Sequence, residues 1–146
     1  EHQERTVTSF LELQNLDSSV KWLPVIQGYT LSEYIEHVRL YARNGIHLES
    51  LPLVGLGSIC RREATNEAEK IVRCLHRLGI RIHGFGFKKT GLARCHKYMA
   101  TADSMAWSQA GRRAKEAMPG CKHANCANCL KFALRWREQL LSSLKP

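Results

Sequence analysis

The stretch Leu51-Pro52-Leu53-Val54-Gly55-Leu56-Gly57 predicts a buried β-strand that runs into a glycine-rich loop. A short apolar run bounded by turn residues is consistent with a strand covered on both faces. A helix is predicted on each side of it. The first helix, over residues 30–44, has the capping-box pair Thr30 and Glu33 at its start. The second helix, over about 64–78, carries its apolar residues on one face.

The same alternation of strands and helices extends over the whole chain. Strands are predicted at about 20–27, 51–57, 80–87 and 103–107, and helices at about 6–16, 30–44, 64–78, 91–99 and from 125 onward. Asn44-Gly45 and Gly79 supply two of the helix stops, and Thr90 is the expected cap of the helix that follows the third strand. Strands that alternate with single helices imply parallel strands joined by crossover connections.

Four βα units in succession are half of a TIM-type (β/α)8 barrel, a fold of typically about 250 residues. We therefore predict an α/β fold of the half-barrel type. A small open α/β sheet is the structural alternative, and composition does not separate the two. The absence of a GxGxxG phosphate fingerprint at the start of a helix counts against the open sheet.

The totals indicate one soluble globular domain over residues 1–146, with 44% hydrophobic and 24% charged residues. No apolar run approaches the ~18 residues of a membrane span. The charged first residues lack the apolar core of a signal peptide, so we expect a cytoplasmic protein without a membrane partner. Because residue 1 is Glu rather than Met, we expect a chain that is processed, trimmed or part of a longer protein.

The net charge of +9 favours polyanionic partners, since neutralising phosphates releases counterions. A basic solvated surface is an equally good interpretation of the charge alone. The chain has six cysteines, of which three lie within nine residues and three are scattered singly. This distribution indicates reduced thiols together with a metal cluster rather than a secreted disulfide framework.

Polar and flexible residues are predicted where the strands end, and in parallel α/β proteins that edge gathers the chemistry. Gln27 follows the first strand and can both donate to and accept from a purine edge, although a lone glutamine is usually a surface cap. Gly55 and Gly57 allow close backbone approach, so their amides are candidate donors to a base carbonyl, while a simple turn is the alternative. Gly86, in the glycine-containing loop after the third strand, is a further candidate for the base-binding set.

Three basic pairs are candidate contacts to a nucleic-acid backbone. Lys88-Lys89 follows the third strand, in the part of a barrel where phosphate is often bound, and Arg61-Arg62 and Arg112-Arg113 are the other two pairs. Most such pairs in proteins are only solvated surface, which is the alternative for each of them.

Asp103 stands among small and apolar neighbours in the run Ala102-Asp103-Ser104-Met105-Ala106-Trp107. A carboxylate placed in this way must be paired, solvated or functional, because its burial without a partner is costly. An aspartate that caps the strand-to-helix turn is the structural alternative, and residue type alone favours it.

Cys121, His123, Cys126 and Cys129 form a Cys-x-His-x2-Cys-x2-Cys cluster. Four such ligands within nine residues suit a closed tetrahedral Zn²⁺ site. We therefore predict a zinc-binding segment at 121–129, with a structural rather than catalytic metal because no position is left open for substrate. His123 is the weakest ligand of the set, and a chance group of reduced thiols is the less favoured alternative.

These motifs together resemble the C-terminal half of the tRNA-guanine transglycosylase superfamily, and within it the branch that inserts 7-deazaguanine bases into DNA. The resemblance covers the chain from about Val20 and rests on Pro24–Gly28, Val54–Ser58, Gly84–Gly86, Ala102–Trp107, and the cysteine cluster with Phe132–Arg137. It implies a pentosyltransferase in which Gln27 and Gly55-Leu56 hold the purine. Asp103 would attack the anomeric carbon to give a glycosyl-enzyme intermediate.

The same resemblance contains two departures. The family's zinc site is Cys-x-Cys-x2-Cys with a distant His, whereas His123 stands at the second position here and Cys129 takes the fourth place. The family's earlier half-barrel, with a second aspartate as general base, has no counterpart in these residues. The resemblance therefore implies that a preceding segment or a partner chain completes the barrel, and that these residues alone are inactive.

Two other functions share most of these features. A tRNA-guanine (queuine) transglycosylase would use the same residues on RNA. A non-catalytic subunit would keep the zinc segment and the basic surface and bind nucleic acid without exchanging a base.

Overall fold

Four parallel strands form a single sheet, and they are hydrogen-bonded in the order in which they occur along the chain. The computed structural model describes residues 1–114 and 116–144, which form two compact units, Glu1–Asp103 and a second unit that begins at Ser104. The whole sheet belongs to the first unit. The predicted parallel α/β fold is confirmed, while the assignment of residues 1–146 to one domain stays a prediction.

The strands are shorter than the apolar runs that predict them. They are β1 Val25–Ile26, β2 Val54–Leu56, β3 Ile82–Gly84 and β4 Thr101–Ala102. The helices are α1 His2–Leu16, α2 Leu31–Arg43, α3 Asn66–Arg77, α4 Lys89–Cys95, α5 Ala106–Arg113 and α6 Leu130–Ser143. In the part of the chain that the structure describes, none of these helices has the length and apolar character that a membrane crossing requires.

The ends of α2 and α3 follow from local sequence. Thr30 and Glu33 form a reciprocal capping box, since each side chain accepts the other's backbone N–H, at 3.3 and 3.1 Å. Gly45 and Gly79 take the left-handed conformation just after α2 and α3, with φ of 78° and 80°. In both cases the residue after the glycine donates its N–H back to the last turn, at 3.0 and 3.2 Å. The helix stops predicted at these two glycines are confirmed.

The register of the strands separates two faces of the sheet. Side chains alternate along a strand with a period of two, so one face carries a fully buried apolar set, Ile26, Val54, Leu56 and Ile82. The other face, which we call the open face, carries the paired residues Val25, Gly55, His83 and Thr101. Val25 and His83 are half-buried there and Thr101 is exposed.

Two buried tyrosines of α2 attach that helix to the sheet. The hydroxyl of Tyr34 donates to the carbonyl of Gly57 at 2.6 Å, and that of Tyr41 donates to the carbonyl of Val25 at 3.1 Å. Burial raises the pKa of both phenols to about 12, so they stay neutral donors at physiological pH. These bonds hold the ends of β1 and β2 at a fixed distance from α2.

The fourth strand and the cap of α4 were predicted wrongly from the sequence. Residues 103–107 are not the fourth strand, because β4 is Thr101–Ala102 and α5 begins at Ala106. The Oγ of Ser104 accepts the N–H of Ala106 at 3.2 Å, so a local turn starts a helix where the short apolar run suggested a strand. Thr90 lies inside α4 rather than capping it.

The last helix also starts later than predicted. Asn125 does not open it, since its Oδ1 accepts the N–H of Ala127 at 3.0 Å in a separate turn, and α6 begins at Leu130 with Cys129 as its cap. None of the residues of α6 is buried, and the leucines of its predicted apolar stripe include three that are exposed, Leu130, Leu134 and Leu141.

Within the second unit, Gly111 of α5 lies against the cysteine loop that precedes α6. The N–H of Cys126 donates to the carbonyl of Gly111 at 3.2 Å. A Cβ added at Gly111 would lie 2.5 Å from the carbonyl oxygen of Cys126, a distance that real Cβ contacts do not reach. A side chain at this position would therefore separate α5 from the loop.

We expect Gly111→Ala to destabilise the second unit, although the same change in an open helix would gain about 1 kcal/mol. The clash meets backbone rather than a flexible side chain, and such overpacking costs about 1–3 kcal/mol. Thermal unfolding followed by tryptophan fluorescence measures it, since Trp107 and Trp136 both lie in this unit. Gln109→Ala, at an exposed position of α5, is the matched control, and a G111A variant as stable as this control would contradict the account.

Candidate functional site

Asp103 is the first residue after β4, at the carboxyl edge of the sheet. Its N–H donates to the carbonyl of Gly84 at 3.2 Å and so continues the ladder between β3 and β4 by one residue. Its Oδ1 accepts the N–H of Gly86 at 2.8 Å, and Gly86 has a φ of 68° that turns this N–H toward the carboxylate. The side chain is 58% exposed, so the carboxylate is anchored by one oxygen and open to solvent.

His83 lies beside this carboxylate on the open face. Its Nε2 is 3.7 Å from Asp103 Oδ1, and its Nδ1 is 2.8 Å from the Oγ1 of Thr101, its register partner on β4. The side chain of His83 is 19% exposed, and the ring of Phe85 meets it edge to face with centroids 4.8 Å apart. A carboxylate, an imidazole, a hydroxyl and an aromatic ring thus converge at the ends of β3 and β4.

Gln27 and Gly57 continue the open face at the other end of the same edge. A Cβ added at Gly57 would lie 3.2 Å from Gln27 Cγ and 3.1 Å from Val25 Cγ1, so the Gln27 side chain crosses this glycine. The backbone of Gln27 is held on both sides. Its N–H donates to Nδ1 of the buried His37 at 2.9 Å, and its carbonyl accepts from Nε2 of Gln3 at 2.6 Å.

The charge state of His37 is consistent with its Nδ1 accepting the backbone N–H of Gln27. Burial lowers the pKa of His37, which keeps the imidazole neutral and leaves Nδ1 free to accept. The side-chain amide of Gln27 makes no hydrogen bond to any residue among 1–114 and 116–144. It is therefore available to a ligand at the open face.

Gly55 of β2 and Gly57, which directly follows it, do not offer the free N–H groups that the sequence suggested. The N–H groups of Gly55 and Gly57 donate to the carbonyls of Pro24 and Ile26 at 2.8 and 2.9 Å, so both are used within the sheet. The side chain of Leu56 is fully buried on the helix side. Gly55 instead makes room for Phe85, whose Cε2 would be 2.5 Å from a Cβ at this position.

The six basic residues predicted to contact nucleic acid lie on three segments. Arg62 stacks on the ring of Tyr29, with Cζ 4.4 Å from the centroid, and it donates to the Tyr29 carbonyl. Lys88 Nζ is 4.0 Å from Oε1 of the buried Glu63. Arg61 has a left-handed φ of 73°, Lys89 is the first residue of α4, and Arg112 and Arg113 form the last turn of α5.

The register brings some predicted residues together and keeps others apart. Asp103 and Gly86 are in contact, and Gln27 lies against Gly57. Gln27 and Asp103 directly follow β1 and β4, the first and last strands in the order, which are three strand spacings or roughly 14 Å apart along the edge of the sheet. The sequence analysis missed His83 as a neighbour of Asp103, and Thr101 and Phe85 as the residues that contact His83. They could have been found only by placing β4 correctly and then using the alternation of side chains along a strand to see which residues share the face of Asp103.

The second unit contains the predicted metal cluster. The ligand atoms of Cys121, His123, Cys126 and Cys129 all lie within 4.8 Å of one another. Two of the separations are 3.7 Å, from Cys121 Sγ to Cys129 Sγ, and 3.3 Å, from His123 Nε2 to Cys126 Sγ. A tetrahedron with metal–sulfur bonds of ~2.3 Å has edges of roughly 3.8 Å, so the four atoms have the spacing of a closed site.

The local structure favours a thiolate at Cys129, whereas burial raises the pKa of the Cys121 thiol. The backbone N–H of Phe132, in the first turn of α6, lowers the pKa of the Cys129 thiol. Cys126 is fully buried, and the backbone N–H of Met118 lies 3.2 Å from its sulfur. Soft thiolates with one imidazole are the ligand set that Zn²⁺ accepts in closed sites, so the residues present fit a structural zinc ion.

Comparison with known proteins gives one match. Residues 1–145 match the model of the family described as DpdA: DeoxyPurine in DNA protein A. No curated protein matches the chain, and no solved structure matches it.

We expect protein purified without added metal to contain about one zinc ion per chain, measured by elemental analysis. Cys126→Ser should lose most of this metal, because the buried sulfur is replaced by a harder and weaker ligand. Cys60→Ser, at an exposed cysteine outside the cluster, is the matched control and should keep its metal. Wild-type protein that purifies without a metal ion, or whose thermal unfolding is unchanged by chelators, would contradict a structural site.

Proposed function

The chain belongs to the DpdA family, DeoxyPurine in DNA protein A, and from this premise we propose that it takes part in placing a 7-deazaguanine base in DNA by base exchange. The proposed activity is that of a pentosyltransferase related to the tRNA-guanine transglycosylases. The family description, which names DNA, supports a DNA substrate over tRNA.

The reaction begins with attack by Asp103. One carboxylate oxygen bonds to C1′ of the deoxyribose, the C1′–N9 bond breaks, and guanine leaves with that electron pair and takes up a proton. A covalent sugar–aspartyl ester remains. The incoming 7-deazaguanine then loses its N9 proton and attacks C1′, and the ester bond breaks to restore the carboxylate. The target nucleotide must leave the base stack for C1′ and the base to be reached.

The observation that carries this proposal is the state of the Asp103 carboxylate. Oδ1 is held by the Gly86 N–H, while Oδ2 makes no hydrogen bond within residues 1–114 and 116–144. A nucleophile needs this combination of fixed orientation and one free oxygen. An aspartate that only capped the following helix would direct its oxygens to the first N–H groups of α5, whereas the Asp103 side chain turns back to the loop after β3.

The other groups on the open face suit the rest of the nucleotide. Gln27 has a free side-chain amide for a purine edge, and Phe85 offers an aromatic ring between it and Asp103. We assign Gly55, Leu56 and Gly86 to the backbone that shapes this surface. The basic residues Arg61, Arg62, Lys88, Lys89, Arg112 and Arg113 are proposed as phosphate contacts, in agreement with the net charge of +9.

We further propose that the sheet is half of a TIM-type barrel. The sequential strand order supports this, because a doubly wound sheet reverses its order at a switch point whereas a barrel does not. β1 and β4 stand at the two ends of the order, so a second set of four strands would close it. On this account the general base that moves the N9 protons comes from the completing half, and residues 1–146 alone are inactive.

The proposed zinc ion is structural and would be held by Cys121, His123, Cys126 and Cys129. It supplies cross-links between the loop after α5 and the start of α6 in the second unit, and the closed ligand set leaves no position for substrate. No step of the proposed reaction is assigned to the zinc ion, because the nucleophile is the carboxylate of Asp103.

We expect Asp103→Asn in the full-length protein to lower base incorporation by about a thousand-fold or more, since the amide keeps the size but loses the nucleophile. Binding to DNA should stay within about threefold, because basic residues supply most of it. The measurement is incorporation of labelled 7-deazaguanine into duplex DNA and, in parallel, into tRNA. Asp17→Asn is the matched control, since Asp17 is the only other aspartate of the sequence and is exposed.

Three outcomes would change the proposal. Normal incorporation by the Asp103→Asn variant would remove this residue from the mechanism. Incorporation into tRNA but not DNA would overturn the substrate. DNA binding without incorporation by wild-type protein would favour a non-catalytic binding subunit.

A further inference from the structure

His83 lies between a hydroxyl, which can donate or accept a hydrogen bond, and a carboxylate, which can only accept one. On one side its Nδ1 is 2.8 Å from Thr101 Oγ1, and on the other its Nε2 is 3.7 Å from Asp103 Oδ1. Thr101 and Asp103 are two residues apart on one strand and its extension, so both face the imidazole from the same side of the sheet. The edge-to-face contact with Phe85 fixes the ring from a third direction.

The hydroxyl of Thr101 selects the tautomer of this imidazole. A neutral histidine has one N–H and one acceptor nitrogen, and a carboxylate oxygen can only accept. The consistent arrangement has the Thr101 hydroxyl donating to Nδ1, with the proton on Nε2 and directed at Asp103 Oδ1. At 3.7 Å the second contact is longer than a hydrogen bond, so the imidazole acts on the carboxylate through the dipole of its N–H.

We propose that His83, oriented by Thr101, is a positioning residue for the Asp103 nucleophile. Together with the Gly86 N–H it holds Oδ1, which leaves Oδ2 as the oxygen that attacks C1′. The inference rests on the proposed role of Asp103. It assigns Oδ1 to anchoring and Oδ2 to attack on C1′. It also adds His83 and Thr101, which no sequence motif indicated, to the site.

His83 is expected to raise the reaction rate by fixing the orientation of the Asp103 carboxylate. A carboxylate held by a single N–H still rotates about its Cβ–Cγ bond, and a misplacement of about 1 Å can cost about 100-fold in rate. The His83 N–H, directed at the same oxygen from a second direction, favours one orientation of the carboxylate. Because His83 is mostly buried while Asp103 is open to solvent, the imidazole is the more rigid member of the pair.

The test compares three variants of the full-length protein in the labelled-base assay with DNA. His83→Phe keeps a ring against Phe85 but removes both nitrogens, His83→Gln keeps an N–H donor, and Thr101→Val removes the hydroxyl with little change of shape. His47→Phe, at an exposed histidine, is the matched control. Thermal unfolding of each variant shows that it is folded.

We expect His83→Phe to lower kcat by about 10–100-fold while KM for the base and for DNA changes less than about threefold, since only the orientation of the nucleophile is lost. His83→Gln should recover at least half of that loss on a logarithmic scale, and Thr101→Val should lower kcat by about 3–10-fold. A kcat in His83→Phe equal to that of the control would overturn the inference, as would a loss that appears in KM alone. If His83→Phe does not fold, the other two variants still test the positioning role of His83. Full activity of Thr101→Val together with no activity of His83→Gln would overturn that role.

The two proposals fail separately. If Asp103→Asn is inactive and His83→Phe is as active as wild type, the base-exchange mechanism stands and only the positioning role falls. If Asp103→Asn is fully active, Asp103 is not the nucleophile, and the positioning role of His83 falls with it.

Discussion

The hydrogen bonds between β3 and β4 are the constraint on which the candidate site depends. They align Gly84 with Ala102, and one further bond joins the N–H of Asp103 to the carbonyl of Gly84. Because this backbone is fixed, the carboxylate of Asp103 meets the Gly86 N–H on the neighbouring loop. A slip of one residue would send the Asp103 side chain to the helix-covered face and remove it from His83 and Thr101.

Two glycines make room for side chains on the open face of the sheet. Gly55 of β2 leaves the space that the ring of Phe85 enters, and Gly57, which directly follows β2, leaves the space that the Gln27 side chain crosses. A larger residue at either place would push these side chains away from the open face. The buried faces of the same strands keep their large apolar side chains, so the apolar core and the candidate site lie on opposite sides of one short sheet.

The sequence predicts those parts of the structure that depend on short-range contacts. The capping box at Thr30, the glycine stops at Gly45 and Gly79 and the spacing of the four metal ligands are all local, and each appears in the structure as expected. The parallel order of the strands also follows from local alternation of helix and strand. The half-barrel and the roles of the individual site residues stay predictions.

The features that the sequence did not predict depend on a short ambiguous run and on the pairing of strands that are distant in the sequence. The run from Ser104 to Trp107 is too short for periodicity to separate strand from helix, and the Ser104 side chain decides for a helix. His83 joins Asp103 only through the register of β3 and β4, which a single sequence does not contain. For the same reason the N–H groups of Gly55 and Gly57 looked free in the sequence, while in the sheet they are used by the strand before them.

The central claim is that Asp103 forms a covalent bond to the sugar of DNA. The most direct measurement is to mix the full-length protein with duplex DNA in the absence of an incoming base, stop the reaction in denaturant, and map the modified peptide by mass spectrometry. The account predicts a deoxyribose-linked DNA adduct on the peptide that contains Asp103, and loss of the adduct when a 7-deazaguanine base is added before the quench. An adduct on another residue, or base exchange by active protein that accumulates no adduct under single-turnover conditions, would contradict it.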